Sequence, residues 1–289
     1  MCELLGMNCN VPTDIVFSFT GFRRRGGGTG PHRDGWGIAF YEGKGARLFH
    51  DVSPSAHSEI ARLVESYPIK STNVISHIRR KTRARVGVEN THPFQRELWG
   101  RIWVFAHNGY LRGVRRRPLR FYQPVGATDS EHAFCYLLDD IRRRFRRPPH
   151  PRALWGAIRG LADELAALGK LNFLLCDSRY LYAYCTGDLC WIQRRAPFAH
   201  ASLVDAELEV DFREHTTAHD RVVVVATRPL TQNETWTPCR PGELSVFGGG
   251  EVLWPHETRS CRSGSRARGS SGTRSGSSRE GRSRSATHA

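Results

Sequence analysis

A cysteine stands second in the chain, directly after the initiator methionine. Methionine ahead of a small residue is expected to be trimmed, which would leave Cys2 with a thiol and a free α-amine on the same residue. An α-amine titrates near about 7.7–8.0 and a thiol near about 8.5, so around neutrality the amine can take the thiol proton, directly or through a water, with no histidine partner. Two plainer readings stand beside this one: Cys2 as an ordinary buried thiol opening the first strand, or as a lipidated residue. The second lacks an apolar leader or an upstream glycine signal. Gly26 to Gly30 reads GGGTG, but no Gly-Lys-Ser/Thr follows, so a phosphate cradle is not expected. His32-Arg33-Asp34 imitates part of a kinase catalytic loop without the D-F-G that would give it meaning. The eight cysteines contain no C-x-x-C pair, and most of them read as reduced core thiols rather than metal ligands or staples.

Such a nucleophile needs a scaffold, and short apolar or β-branched runs supply one. Leu4 to Met7, Trp36 to Tyr41, Val74 to Ile78, Ile102 to Ala106, Leu171 to Cys176, Tyr180 to Cys185 and Val222 to Ala226 read as strands. Helical spacing occurs over 57–66 (Ile60, Leu63, Val64), 129–145 (Ala133, Phe134, Leu137, Leu138, Ile141, Phe145) and 153–168 (Leu154, Trp155, Ile158, Leu161, Leu165, Leu168). Many strands interrupted by a few one-sided helices predict an α+β design, sheet on sheet with helices outside.

At 289 residues the chain is long enough for a sizeable core, and 39% of it is hydrophobic. No apolar run of about 18 residues is present to span a bilayer. The start MCELLGMNCN lacks a basic segment and a long apolar stretch before a cleavage site, so a cytoplasmic protein with no membrane partner is expected. The net charge of +15 is unevenly placed. Residues 256–289 hold 8 Arg, 10 Ser and 5 Gly against Glu257 and Glu280, and carry +6 of it. Residues 2–254 are therefore expected to form one folded domain and 255–289 a disordered Arg/Ser/Gly-rich tail. The tail is either a solvated extension or a tether for RNA; nucleic acid is not otherwise expected. The arginine runs 115–117 and 142–147 read as solvated surface, the second well placed at a helix C-terminus.

Seven stretches, in order and spacing, carry a resemblance. They are CELLGM (2–7), RGGGTGPHRDGWGIAFYEGKG (25–45), SHIRRKTRA (76–84), ENTHPF (89–94), RELWGRIWVFAHNGYL (96–111), VGATDSEHAF (125–134) and ATRPLTQNETW (226–236). Together, over about residues 2–254, they resemble the class-II glutamine amidotransferases, N-terminal-nucleophile hydrolases, and in particular their stand-alone bacterial members. The resemblance implies a four-layer α/β/β/α sandwich. It also implies attack of the Cys2 sulfur on the γ-amide of glutamine, a γ-glutamyl thioester, release of ammonia, and no metal or organic cofactor.

The resemblance assigns roles residue by residue. Asn108 (side-chain amide) and Gly109 (backbone N–H) would receive the oxyanion; HNG follows the strand Ile102 to Ala106, where a sharp turn would expose both groups. Taken alone, an Asn-Gly pair reads as a hairpin turn. Arg79 would bind the substrate α-carboxylate as a bidentate fork, against the alternative of a surface ion pair. Asp129 would receive the α-ammonium; Thr128-x-x-Glu131 is a capping-box pattern, so an acid in that first turn also has a purely helical explanation. His92 is a pocket-side histidine in a supporting role, or equally a structural one. Trp36 and Gly37 fit tight backbone packing near the nucleophile strand. Arg80 departs from the aromatic that commonly follows the equivalent arginine in synthase-linked relatives. The expected partner is glutamine or a γ-glutamyl small molecule; because too little chain follows residue 236 to hold a synthase domain, either a separate synthase subunit takes the ammonia or the protein simply hydrolyses a γ-glutamyl amide. Three functions remain open: an amidotransferase subunit, a γ-glutamyl amidohydrolase, and an inert scaffold that binds RNA through its tail.

Overall fold

The computed structural model describes residues 2–81 and 84–255. In chain order the elements are β1 (Glu3–Thr13), α1 (Val16–Arg24), β2 (Trp36–Glu42), β3 (Gly45–Asp51), α2 (Glu59–Ser66), β4 (Ser71–Ile78), β5 (Phe94–Leu98) and β6 (Arg101–Leu111). After these come α3 (Asp129–Arg144), α4 (Pro151–Ala166), β7 (Gly169–Cys176), β8 (Leu181–Cys185), β9 (Cys190–Arg195), β10 (His200–Ser202), β11 (Glu209–Asp211), β12 (Arg221–Ala226), β13 (Thr237–Pro238), β14 (Glu243–Gly248) and β15 (Glu251–Trp254). The tail and its proposed disorder and RNA contacts lie outside the described residues.

The strands form two large antiparallel sheets. One has the order β13-β9-β12-β1-β4-β2-β3, the other β15-β14-β8-β7-β6-β5, and β10 pairs with β11 separately. Strand periodicity explains how they stack, because successive side chains point to opposite faces. Along β1, Leu4 joins an apolar cluster with Ile75, Val104, Ala106, Leu174 and Val225, which belongs to both sheets. Leu5 and Met7 face the other way, into a cluster with Phe19 and Phe22 of α1 and Ala61 and Val64 of α2. In the second sheet, Phe105 and Phe173 meet Phe134 of α3 and Leu161 of α4. Three apolar layers thus glue four structural ones, and the fold is an α/β/β/α sandwich. Both faces of the central strands are dry, which is why they read as unbroken apolar runs.

The structure departs from the sequence reading in places. α1 was not anticipated: its sequence VFSFTGFRR carries three phenylalanines, Gly21 and no side-chain cap bonded at its start, and it is helical because Phe19 and Phe22 are buried against β1 and β2. In α2 the buried side is Ala61 and Val64, while Leu63 is exposed. β5 and β6 are joined at Trp99-Gly100, both with positive φ (58° and 71°), a two-residue hairpin whose first position is not the usual Asn or Gly. Cys9, Cys135, Cys176, Cys185, Cys190 and Cys239 are free and buried, as expected of core thiols; Cys261 lies outside the described residues. No helix among the described residues is long and apolar enough to cross a membrane.

Candidate active site

β6 carries the arrangement. The strand does not stop at Ala106: it runs through Asn108 and Gly109 to Leu111, with Asn108 opposite Asn172 and Gly109 opposite Leu171 on β7. The expected sharp turn is therefore absent, and so is the Asn-Gly hairpin. The reason is the neighbouring strand, whose edge is long enough to keep the pairing going to the end of HNGYL. What aims Asn108 is parity instead. Val104 and Ala106 lie between the sheets, and Asn108 continues that face.

The start of β1 brings Cys2 to the same gap, since Leu4, two residues on, is also an inter-sheet side chain. Cys2 N lies 3.0 Å from Asn108 Oδ1 across 106 residues of sequence. With Met1 in place that nitrogen is a peptide N–H; after loss of Met1 the same position would hold the α-amine. Because Cys2 N donates to Oδ1, the other end of the amide is fixed as the NH₂, and Asn108 Nδ2 is buried with no hydrogen-bond partner among the described residues. Cys2 Sγ rests on the Arg80 backbone, 3.3 Å from its N and 3.5 Å from its O. Burial pushes the Cys2 thiol up; the Arg80 N–H, the charge of the chain terminus and Arg79 oppose it. A raised thiol is protonated at neutrality and needs a base beside it.

Gly109 has its own reason to be glycine. A Cβ there would lie 1.9 Å from Lys170 O and 2.6 Å from His107 Nε2. His107, on the opposite parity to Asn108, points at α3 and was not singled out from sequence. Its Nδ1 is 2.8 Å from Ser130 Oγ and its Nε2 3.1 Å from Lys170 O. A carbonyl can only accept, so Nε2 carries the hydrogen and a neutral Nδ1 accepts from the Ser130 hydroxyl. Burial holds His107 below its ordinary value, with Asp129 opposing. The imidazole thereby pins the residue next to Asn108 to the first turn of α3.

Asp129 opens that turn. Its Oδ2 accepts from Leu111 N at 2.7 Å and its Oδ1 from Ser130 N at 3.0 Å, so the carboxylate ties the end of β6 to the helix. Thr128 caps α3 by accepting from Glu131 N at 3.1 Å. The second half of the predicted capping box is not made. Glu131 instead accepts from Val125 N and Gly126 N and pairs with Arg96 at 2.6 Å, because the chain before the helix folds back over it. Asn90 completes this corner: its Oδ1 accepts from Ala127 N at 2.7 Å, joining the His92 segment to the Asp129 loop.

Arg79 is buried, not on the surface, and is in no salt bridge among the described residues, so the ion-pair alternative falls. One terminal nitrogen, NH2, donates to Ala84 O and Arg85 O at 3.0 and 3.1 Å; the other, NH1, is buried with no partner among the described residues. Its backbone and that of Lys81 are laced to the Asp34-Gly35 segment, Arg79 N to Gly35 O at 2.8 Å and Lys81 N to Asp34 Oδ2 at 2.9 Å. His92 is buried, its ring 4.2 Å from His77 and 4.4 Å from Phe94 between centroids, and neither nitrogen of either histidine has a partner among the described residues. Burial drives both imidazoles well below their ordinary value. Gly37 is packed tightly here, a Cβ meeting His92 O at 2.4 Å. Cys2, Asn108 and the Arg80 backbone are thus brought together by direct contact. Asp129 and Gly109 join through β6, while His92 stands behind with His77.

No three His, Cys, Asp or Glu side chains among the described residues come together as a metal site. A separate open groove, lined by Thr20, Arg24, Asp205 and Glu207 among others, contains none of the residues above.

Comparison with known proteins matches residues 1–271 to the family described as glutamine amidotransferases class-II. The chain is 57% identical over 252 residues to YafJ of Escherichia coli K12, a protein provisionally named a glutamine amidotransferase, covering 87% of this chain and 99% of that one. It is 47% identical over 253 residues to a protein so named from Haemophilus influenzae, covering 88% and 86%. Among solved structures, a protein from Pseudomonas aeruginosa PA01 described as a predicted glutamine amidotransferase superposes with a TM-score of 0.71 at 49% identity, covering 87% and 99%. The glutamine phosphoribosylpyrophosphate amidotransferase of Bacillus subtilis shares the fold at a TM-score of 0.54 and 16% identity, over 87% of this chain and 48% of that one.

Proposed function

The chain belongs to the class-II glutamine amidotransferases, and from that premise we propose that it is a glutaminase whose nucleophile and base both reside on Cys2. The observation that carries this is the 3.0 Å contact between Cys2 N and Asn108 Oδ1, with Asn108 Nδ2 left buried and unpartnered. A terminal amine at that position donates one hydrogen to Oδ1 and keeps its lone pair for the thiol proton. The sulfur then adds to the γ-carbonyl carbon, and the carbonyl oxygen becomes an oxyanion that accepts from Asn108 Nδ2 and the Gly109 N–H. As the C–N bond breaks, the protonated amine returns its proton to the departing nitrogen. Ammonia leaves and a γ-glutamyl thioester remains. The amine then deprotonates a water, which adds to the thioester carbon and releases glutamate and the thiol.

The substrate's remaining charges have counterparts. Arg79 NH1, buried and unpartnered, is suited to the α-carboxylate, and Asp129, each of whose oxygens has accepted only one backbone N–H, to the α-ammonium. His92, held neutral beside His77, packs the floor rather than moving protons. None of these roles calls on a metal or organic cofactor.

A second reading, hydrolysis of a small γ-glutamyl amide, draws on Arg80. Its backbone touches Sγ, and the residue is exposed where the leaving amine must depart. Intact-mass measurement of the mature protein is expected to show the loss of Met1 and, after a glutamine-mimicking electrophile, one adduct on Cys2. Cys2→Ala is expected to abolish ammonia release from glutamine. An adduct elsewhere, or ammonia release surviving in that variant, overturns the proposal; turnover of a γ-glutamyl amide far above that of glutamine selects the second reading.

A further inference from the structure

Directly beneath the nucleophile lies a buried cluster of charges that takes no part in the reaction above. Glu3 follows Cys2 and, by strand alternation, points to the opposite face of its sheet, the face of Leu5 and α1. Its carboxylate is buried between two guanidiniums, Arg25 NH1 on Oε2 at 3.1 Å and Arg228 NH2 on Oε1 at 2.8 Å. Arg25, at the C-terminal end of α1, is itself buried and uses all three nitrogens. Nε pairs with Asp205 at 2.7 Å, NH1 also donates to Arg228 O at 3.2 Å, and NH2 donates to Pro229 O at 2.6 Å. Asp205 accepts further from Thr29 Oγ1 at 2.7 Å, and His32 Nδ1 lies 3.1 Å from Arg25 O.

One guanidinium therefore joins β1, the end of α1, the segment around Asp205 and the chain after β12. Glu3 and Arg25 are the buried members, Asp205 is half-buried and Arg228 exposed; burying a charge pair is costly unless each partner is matched, and an apolar pair of similar shape often serves stability as well. Its position suggests what it is for. The free end of a chain is the part most prone to fray, yet here that end must hold a nucleophile within hydrogen-bond distance of Asn108. Leu4 N is separately held by Thr227 Oγ1 at 2.9 Å.

We propose that Arg25 and Glu3 are positioning residues, a clamp on the far face of the sheet that fixes the first residues of β1 against Asn108 and sets the charge that the Cys2 thiol and amine experience. This rests on the assignment of Cys2 as the nucleophile. Facing Cys2 from the other elements are Arg79 and Arg80 after β4, with Lys81 and Asp34 beside them, and the uncharged Asn108 on β6. From beneath come Glu3, Arg25, Arg228 and Asp205. Removing a positive group from the clamp leaves more of the Glu3 charge unmatched and disfavours thiolate and free amine alike; removing Glu3 does the reverse.

The test titrates Cys2 through its pH-dependent alkylation by iodoacetamide, read by intact mass on the mature full chain, alongside the pH profile of glutamine hydrolysis. Glu3→Gln is expected to move the Cys2 midpoint down, and Arg25→Gln to move it up, each by about half a pH unit. With glutamine, kcat is expected to fall in both variants while KM stays near that of the parent, because the clamp lies on the face away from the substrate. Arg25→Lys, which keeps the charge but not the fork, is expected to restore the midpoint and not kcat. Unmoved midpoints in folded Glu3→Gln protein, or a KM that rises with kcat unchanged, overturn the clamp. Should the parent release no ammonia from glutamine, the functional reading fails while the alkylation titration still decides this one.

Discussion

Cys2 N meets Asn108 Oδ1, and Asn108 Nδ2 is buried with no partner among the described residues; in the proposed reaction the amide would serve at both ends, Oδ1 holding the α-amine and Nδ2 the developing negative charge. Asn108→Ala removes both services. A kcat lower by about 100- to 1,000-fold is expected from the loss of one oxyanion donor, with thermal unfolding little changed; a loss below tenfold would remove Nδ2 from the reaction. For Arg79 the guanidinium geometry matters more than its charge, since one nitrogen is consumed by Ala84 and Arg85 and the other is the free one. Arg79→Lys is therefore expected to raise KM for glutamine at least about tenfold, the scale of one charge-assisted hydrogen bond of about 1.5 kcal/mol, with a smaller effect on kcat. Steady-state kinetics separate the two. The residue identities were readable because rare types recur in order along the chain. The half-used capping box was not: Glu131 follows Thr128 at the right spacing, and only the fold-back of Val125 and Gly126 decides what it bonds.

Elements position these groups by simple rules. β6 presents Asn108 to the inter-sheet gap and His107 to α3, and the His107–Ser130 bond fixes the helix start beside Leu111. Thr128 supports that start, and Thr128→Ala is expected to cost about 1 kcal/mol, the usual loss of an N-cap, lowering the melting temperature by a few degrees with a larger proportional loss in kcat/KM as Asp129 shifts. Unchanged melting and kinetics would make the cap dispensable. The strands with the strongest β-branched and apolar runs, Trp36–Tyr41, Val74–Ile78 and Val222–Ala226, were legible because both of their faces are buried. β3, β5 and β9 were not, since their sequences GARLFHD, FQREL and CWIQRR mix charges into sheet edges or half-exposed strands. α1 was hidden by aromatic and glycine residues that favour a helix only once the sheet is there to pack on. The end of β6 reads as a turn in the sequence but is strand in the fold, because the turn-forming pair lies inside a strand whose partner is long enough to overrule it.

At the scale of the whole sandwich, the gap between the sheets is mostly dry, but near the site it holds His77 and His92, both buried and both kept neutral by that burial. The sign of the resulting pH dependence follows. The folded state resists protonating these rings, whereas the unfolded chain accepts protons from about pH 6.5 downward, so stability is complete above that value and is lost as the pH falls below it. Each ring contributes up to about 1.4 kcal/mol per pH unit in the window between its unfolded and folded values. Melting measured between pH 7.5 and pH 5 is expected to decline steeply, and replacing both rings with phenylalanine is expected to flatten that decline. A slope unchanged by the double replacement would assign it to other groups.

On the proposed mechanism the nucleophile Cys2 and the oxyanion donor Asn108 belong to different sheets, joined by a contact across 106 residues. A chain in which either sheet has formed alone possesses every reactive atom and no catalyst. Turnover should consequently be the last property recovered after denaturation, arriving only when the two halves of the sandwich have mated, so that product formation keeps time for the final assembly step.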